Sequence, residues 1–145
     1  MPRGKQSGIA YGQKKQQGAS DTEQLIAIKR HLVKKYKVKV MREPYLLFNT
    51  NDKLKKIKDH VTRADLNDHY PKNPDLLWVD KYGMWILESD GSAHDYKTEK
   101  TRKRNELFRD NGINLIVCNL ADLKETNQNL YNYIDVEILR IIRTK

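Results

Sequence analysis

Two short apolar segments joined by a turn sequence constrain the fold of this chain more than any other feature. Residues 76–79 and 84–87 carry side chains typical of β-strands, and Asp80-Lys81-Tyr82-Gly83 connects them. Glycine is favoured in such a tight connection because it adopts backbone angles that other residues avoid. The pattern predicts a β-hairpin, which we expect to form the centre of a sheet.

Three segments with helical character surround the hairpin. Ser20-Asp21-Thr22-Glu23 has the spacing of a capping box, and the apolar residues that follow it predict a helix over residues 21–36. Residues 97–111, ended by Gly112, and residues 128–143 are the other two predicted helices.

The other segments are shorter. Residues 38–40, 45–48 and 115–118 predict strands, and a Glu-Pro dipeptide separates the first two because proline interrupts strand pairing. Residues 52–61 predict a short basic helix, and residues 62–73 predict a loop. This order of helix, three or four strands, helix, strand and helix indicates a mixed α/β fold, with helices flanking a β-sheet.

The chain has 145 residues, of which 38% are hydrophobic, so it is long enough for one compact domain. We place that domain at residues 20–145. Residues 1–19 show no apolar period and are predicted to form a flexible basic arm. Lys14 and Lys15 in this arm are candidate DNA contacts, and an unstructured leader without a role is the alternative.

The sequence contains no apolar run that approaches the length of a membrane span, and its N-terminus lacks the apolar region of a signal peptide. We therefore expect a soluble, cytoplasmic protein with no membrane partner. Cys118, the single cysteine, lies in an apolar run and is interpreted as a small core residue.

The charges are distributed unevenly. The chain carries 28 Lys and Arg against 19 Asp and Glu, yet residues 65–95 contain seven acids and two bases. Clustered carboxylates repel one another and are most stable where a divalent cation neutralises them. Residues 1–40 contain ten bases and two acids, a surplus suited to a polyanion. A basic protein with an acidic pocket is what metal-dependent cleavage of nucleic acid requires.

Several of these residues occur in an order that resembles a known nuclease superfamily. Glu23 on a helix, Pro74-Asp75 at the start of one strand and Ile86-Leu87-Glu88-Ser89-Asp90 at the end of the next resemble the PD-(D/E)XK nucleases. The downstream pattern, with Arg104 and a closing strand, is similar to the branch of the very-short-patch-repair endonucleases. That branch includes the homing endonucleases with an EDxHD motif, which the sequence matches at Glu88, Asp90, His94 and Asp95.

The resemblance covers roughly residues 20–118 and implies a restriction-endonuclease-like sheet core. It also implies a divalent cation, Mg²⁺ or Mn²⁺, bound by Asp75 and Glu88, with Asp90 and Glu23 as further ligands. The expected hairpin agrees, because adjacent strands bring Asp75 and Glu88 to one edge and residues two apart in a strand project to the same face. Such a cation polarises the scissile phosphate and lowers the pKa of a bound water for in-line attack.

One position departs from the superfamily pattern. The lysine that usually follows the acidic strand ligand by two residues is replaced by Asp90, so another residue must orient the water. His94 is the first candidate because imidazole exchanges protons near neutral pH. Lys97 or Lys100 is the alternative.

The predicted helix after His94 is strongly basic, and we expect it to hold DNA phosphates beside the acidic residues, although a solvated helix face is the alternative. Its candidate nucleic-acid contacts are Lys100, Arg102, Lys103 and Arg104.

The candidate site residues also have structural interpretations. Glu23 completes the capping box without any site, Asp75 is suited to capping a turn, and the Asp-Gly dipeptide at Asp90 favours a turn after the strand. A hydrogen-bonded structural histidine is the alternative for His94.

The aromatic residues divide into two groups. Trp78 and Trp85 lie on the predicted hairpin and are interpreted as core residues rather than stacking platforms for bases. Tyr70 and Tyr96 are expected to flank the acidic pocket in loops and are the better candidates for stacking.

The leading hypothesis is a metal-dependent DNA endonuclease that acts on a specific duplex site, on a mismatch or nick, or on a branched junction as a Holliday-junction resolvase does. Cleavage of both strands would require a homodimer, since one metal site cuts one strand. The alternatives are a nucleic-acid-binding module without catalysis and a small structural protein of a nucleic-acid assembly.

Overall fold

The structure is a computed structural model that describes residues 21–89, 98–120 and 127–145. In these ranges the chain forms three α-helices and seven strands. The helices are α1 (Asp21–Tyr36), α2 (Thr98–Asp110) and α3 (Asn127–Arg143). The strands are β1 (Met41–Arg42), β2 (Tyr45–Phe48), β3 (Leu54–Lys58), β4 (Tyr70–Lys72), β5 (Leu76–Asp80), β6 (Gly83–Ser89) and β7 (Asn114–Cys118).

The larger sheet has four strands in the order β1-β5-β6-β7. Strands β5 and β6 pair antiparallel as the predicted hairpin, with Asp80 opposite Gly83. Gly83 has a φ of 115°, a conformation in which a side chain would be strained. Strands β6 and β7 are parallel, as the crossover through α2 between them requires. The predicted position of the hairpin at the centre of the sheet is confirmed.

Alternate residues of the hairpin strands face two hydrophobic layers, as the two-residue period of a strand requires. On one face, Leu76 and Trp78 pack with α1 and α3. On the other face, Leu77 and Ile86 pack with Phe108 of α2 and with β2. Helices therefore cover both faces of the sheet, and the predicted mixed α/β fold is confirmed.

The two tryptophans and the cysteine lie in the core, as predicted. Trp78 and Trp85 stack across the hairpin with ring centroids 5.8 Å apart and 3° between the ring planes. Trp85 Nε1 donates a hydrogen bond of 2.8 Å to Asp80 Oδ1, which satisfies the polar atom of a buried ring. Cys118 is fully buried, and this burial raises the pKa of its thiol to about 12.

Helix α2 ends two residues before the predicted glycine. Gly112 has a φ of 74°, and its N–H donates to Arg109 O at 2.9 Å while Ile113 N–H donates to Phe108 O at 3.1 Å. This pair of hydrogen bonds is the Schellman arrangement, which closes the last helical turn. It directs the chain into β7 and fixes how far α2 extends along the sheet.

A second sheet, of order β3-β2-β4, packs on the α2 side of the larger one. The predicted helix over residues 52–61 is wrong, because β3 lies there. The pairing of β3 with β2 contains a register shift. A bulge of this kind lets Leu54 and Ile57 pack against the same core although they are three residues apart, which imitates helical spacing.

Two other predicted segments also differ from the structure. The predicted loop over residues 62–73 contains a 3₁₀-helix (Asp65–Asn67) and β4. Strand β4 lies at the edge of its sheet, where Pro71 is tolerated because the missing N–H can face away from the neighbouring strand. The strand predicted at residues 38–40 occurs instead as β1. Six strands, rather than three or four, precede α2 in the described part of the chain.

Among the described helices, none combines the length and the apolar character that a membrane crossing requires. The predicted basic arm over residues 1–19, with Lys14 and Lys15, lies outside the described residues.

Candidate acidic site and basic groove

The register of the hairpin places Asp75 beside Glu88. Leu76 pairs with Leu87, so the next residue outward on each strand is one of these two acids. Glu88 follows Ile86 by two residues and therefore projects toward α2, as Ile86 does. Glu88 is only 5% exposed. The structure thus brings together the two acids that the sequence predicted to share one edge of the sheet.

Asp75 is held in place by the neighbouring strand. Its Oδ2 atom accepts a hydrogen bond of 2.6 Å from Ser89 N–H and one of 2.7 Å from Ser89 Oγ–H. Its backbone oxygen accepts a bond of 3.0 Å from Glu43 N–H. These bonds join Asp75 to other parts of the chain, so the side chain is oriented by the sheet rather than by a turn of its own.

Glu88 is in an unusual electrostatic environment. Its burial raises the pKa of its carboxyl to about 7, the positive charge of Arg104 acts against that increase, and the negative charge of Asp75 adds to it. Arg104 Nε lies 3.9 Å from Glu88 Oε2, which is too far for a hydrogen bond. The same Nε atom is buried and has no hydrogen-bond partner within the described ranges. The two groups therefore attract each other through space without a direct bond.

Helix α2 positions Arg104 through its buried face. Phe108 lies one turn after Arg104, is fully buried, and has its ring centroid 6.4 Å from that of Phe48 in β2. Residues four apart lie on one side of a helix. Anchoring of Phe108 between the sheets therefore turns Arg104 toward the end of β6, where Glu88 lies.

A basic groove extends from Glu88 between β4 and α2. A cavity of about 640 Å³ is lined by Pro71, Lys72, Asn73, Glu88, Lys100, Thr101 and Arg104. A neighbouring cavity of about 300 Å³ shares three of its cations and adds Asp52, Tyr70, Lys103 and Leu107. We use the term basic groove for the surface that carries Lys72, Lys100, Lys103 and Arg104.

The cations of the basic groove differ in how they are paired. Lys72 and Lys100 form no ion pair with any described residue, whereas Lys103 Nζ lies 4.0 Å from Glu99. Arg102, which the sequence grouped with them, is engaged elsewhere. It contacts Glu99 at 2.5 Å and Glu106 at 2.6 Å, and it lines neither cavity.

Glu23 lies in the first turn of α1 and is exposed. The next residue, Gln24, donates a long hydrogen bond of 3.5 Å to Leu120 O just beyond β7. The start of α1 therefore lies near the end of the sheet to which β6 and β7 run. Helix α1 nevertheless belongs to the layer on the opposite face from Arg104.

Several predicted site residues lie outside the described residues: Asp90, His94, Lys97, Lys14 and Lys15. Within residues 21–89, 98–120 and 127–145, no group of three or more His, Cys, Asp and Glu side chains could hold a metal ion. The acidic pair in the described ranges is Asp75 and Glu88.

Tyr70 is partly committed to the fold. Its ring stacks on Phe48 with centroids 5.7 Å apart, and its hydroxyl donates a hydrogen bond to Asp52. Partial burial and the Asp52 contact raise the pKa of Tyr70 to about 12. One ring face is thus occupied by the core, which restricts any stacking to the other face. Tyr96, the second predicted stacking residue, lies outside the described ranges.

Sequence reasoning missed Lys72 and Ser89 as parts of this region. Lys72 belongs to β4, which the sequence predicted as a loop, so nothing placed it opposite α2. In the sequence, Ser89 stands inside the Glu88-Ser89-Asp90 pattern, which assigns it no role. Its position between two acids at a strand end was a signal that its N–H and hydroxyl could orient a neighbouring carboxylate.

Comparisons of the chain with protein-family models, with curated proteins and with solved structures give no match. The resemblance to PD-(D/E)XK nucleases therefore stays a prediction.

Proposed function

We propose that this protein is a metal-dependent DNA endonuclease that hydrolyses phosphodiester bonds. The observation that carries the proposal is the pairing of Asp75 and Glu88 at the end of the hairpin, where Glu88 lines the basic groove. Two adjacent carboxylates supply the oxygen ligands that Mg²⁺ and Mn²⁺ prefer.

The electrostatics of Glu88 fit a cation. A carboxyl with a pKa of about 7 is costly to ionise in the protein alone. A divalent cation next to it favours the carboxylate and releases the proton. Arg104 supplies part of this compensation from 3.9 Å, and a metal ion bound by Asp75 and Glu88 would supply the rest.

The basic groove fits the phosphate backbone of the substrate. Duplex DNA carries about one negative charge per 1.7 Å of its axis, so affinity depends on cations spread along a surface. Lys72 and Lys100 make no ion pair in the described part of the chain and line the same cavity as Glu88. They are therefore suited to hold a strand over the acidic pair.

The chain's own groups have distinct roles in this proposal. A bound Mg²⁺ or Mn²⁺ would polarise the scissile phosphate and acidify a water. Ser89 orients Asp75 through two hydrogen bonds. Arg104, which lines the same cavity, would contact a phosphate oxygen and stabilise the charge that develops there. Lys100 lines the cavity beside Glu88, and with His94 and Lys97 it remains a candidate to orient the water.

The proposal is tested by incubating the protein with supercoiled plasmid and Mg²⁺ or Mn²⁺. The test variants are Asp75→Asn and Glu88→Gln, singly and together. The matched control is Asp59→Asn with Asp110→Asn, because both residues are exposed acids outside the cavities described above. We expect metal-dependent nicking by the natural protein and by the control, and loss of nicking in the test variants.

Nicking that survives in the Asp75 and Glu88 double variant would overturn the proposed site. A different result would favour a nucleic-acid-binding module without catalysis. In that result neither the natural protein nor the double variant cleaves plasmid, mismatched duplex or four-way junction, yet the two bind DNA equally. The ratio of nicked to linear product distinguishes cleavage of one strand from cleavage of both strands. Cleavage of both strands would require a homodimer.

A further inference from the structure

A second basic cavity lies on the side of the molecule formed by α1 and α3. Its volume is about 530 Å³, and it is lined by Arg30, His31, Lys34, Lys35, Gln128 and Tyr131. Helices α1 and α3 cover one face of the larger sheet, whereas α2 covers the other. The sheet therefore separates this α1–α3 cavity from the basic groove.

Asp135 fixes the wall of the cavity. Its Oδ1 atom accepts hydrogen bonds from His31 Nε2 at 2.8 Å and Tyr36 Oη at 2.6 Å, and its Oδ2 atom accepts one from Lys35 Nζ at 2.7 Å. Although partial burial acts in the other direction, these three donors lower the pKa of Asp135. One carboxylate thus joins α1 to α3 and orients two of the residues that line the cavity.

An aromatic pair forms part of the same wall. The rings of His31 and Tyr131 are stacked with centroids 4.3 Å apart and 4° between their planes. The edge of the His31 ring is held through Nε2 by the hydrogen bond to Asp135. Rings fixed in this way give the cavity a rigid side, so a ligand loses little of its binding energy to ordering of the protein.

The cavity carries more positive charge than its own acid can balance. Lys35 is paired with Asp135, but Arg30 and Lys34 are exposed and have no ion pair with a described residue. These two residues are four apart on α1, so their side chains are neighbours separated by about 5–6 Å at Cβ. Two cations that have no ion pair in the described ranges and that flank a rigid cavity are suited to an anionic ligand.

We propose that the α1–α3 cavity binds the sugar–phosphate backbone of a nucleic acid, with Arg30 and Lys34 contacting phosphate oxygens. Guanidinium and ammonium groups are the usual partners of backbone phosphates. Exposed cations arranged along a helical turn fit an extended polyanion better than a small ion, which an enclosed site would bind. This binding surface is additional to the basic groove and does not depend on cleavage.

The proposal is tested by the fluorescence anisotropy of a labelled 25-base-pair duplex in EDTA, measured across a range of salt concentrations. The test variant is Arg30→Gln with Lys34→Gln. The matched control is Arg143→Gln with Lys145→Gln, which removes the same charge. Both control residues are exposed, and Arg143 follows Tyr131 by twelve residues on α3, about 18 Å along the helix axis.

Loss of two phosphate contacts is expected to flatten the slope of log K against log salt by about 1.8, and to weaken binding by about 30-fold near 0.15 M salt. The control is expected to change the slope little. Circular dichroism melting verifies that both variants are folded. Equal losses of affinity in test variant and control would overturn the proposal, because net charge alone would then explain the binding.

A second measurement distinguishes a nucleic acid from a small anion. Amide chemical shifts of residues 28–36 and 127–135 are recorded with the duplex and, separately, with inorganic phosphate. Shifts with the duplex support the proposal, whereas shifts that appear with phosphate and not with the duplex overturn it. Glu88→Gln removes the acidic site but not this binding, so a failure of the nuclease proposal is distinguishable from a failure here.

Discussion

Replacement of Glu88 by glutamine is expected to stabilise the metal-free protein at alkaline pH and to change its stability little at acidic pH. Glu88 is 5% exposed, and its burial raises its pKa from 4.5 to about 7. Between these two values the folded protein holds a proton on Glu88 that the unfolded chain has lost. Stability therefore falls as the pH rises from 4.5 to 7.

The magnitude follows from the two pKa values. A difference of about 2.5 at about 1.36 kcal/mol for each pKa unit gives about 3 kcal/mol at pH 8, where the carboxylate is charged in both states. At pH 5 the same linkage gives less than about 1 kcal/mol. Glutamine has the shape of the protonated acid and does not ionise, so the variant avoids this loss.

The assay is urea unfolding followed by circular dichroism at pH 5 and pH 8, in EDTA. The natural protein, Glu88→Gln and the exposed-acid control Asp59→Asn are compared. The free energy of unfolding of Glu88→Gln should exceed that of the natural protein by about 3 kcal/mol at pH 8. An equal difference at both pH values, or a less stable variant at pH 8, would refute the reasoning about the burial of Glu88.

Three further outcomes test the fold. Phe108→Ala removes a fully buried ring between the two sheets. It is expected to lower the free energy of unfolding, measured in urea, by about 3–5 kcal/mol. A loss below about 1 kcal/mol would contradict the described packing. Gly83→Ala places a Cβ where φ is 115°. It is expected to lower the melting temperature and to lower the free energy of unfolding by about 1 kcal/mol or more. An unchanged melting temperature would argue against that turn. Cys118, whose burial raises its pKa to about 12, should resist a thiol reagent at pH 8 until urea unfolds the chain, and rapid labelling of the native protein would contradict its position.

The elements with a regular period could be predicted from the sequence. Helix α1 was predicted at residues 21–36, where it occurs, because its apolar side chains repeat at helical intervals. The hairpin was predictable because its two apolar segments flank a glycine turn. Helix α3 was predicted with an error of one residue at its start, since its buried stripe includes Leu130, Ile134 and Ile138.

Strands β3 and β4 could not be predicted in the same way. In β3 the register shift places Leu54 and Ile57 on one core although a regular strand would separate them, so the local pattern favours a helix. In β4, Pro71 and polar neighbours give no strand signal, and only the place of β4 at a sheet edge makes the proline acceptable. Both errors arise because pairing with strands elsewhere in the chain determines the secondary structure of these segments, and local periodicity does not show that pairing.

The candidate site was predictable where it depends on local pairing and not where it depends on contacts between distant segments. Asp75 and Glu88 were paired correctly because hairpin register is a local property. Lys72 was missed because its contribution to the basic groove depends on β4, which lies far from α2 in sequence. The pairing of Arg102 with Glu99 and Glu106 could have been anticipated from spacings of three and four residues on a helix.

The positions of the stacked tryptophans also determine which changes in this protein can be detected by its fluorescence. The chain has two tryptophans, and both lie in the layer between the sheet and the α1–α3 pair. Their near-ultraviolet emission is therefore a single reporter of whether that layer is intact. A ligand entering the basic groove, on the opposite face, is expected to leave the emission unchanged, so a flat fluorescence titration would say nothing about whether nucleic acid had entered that groove.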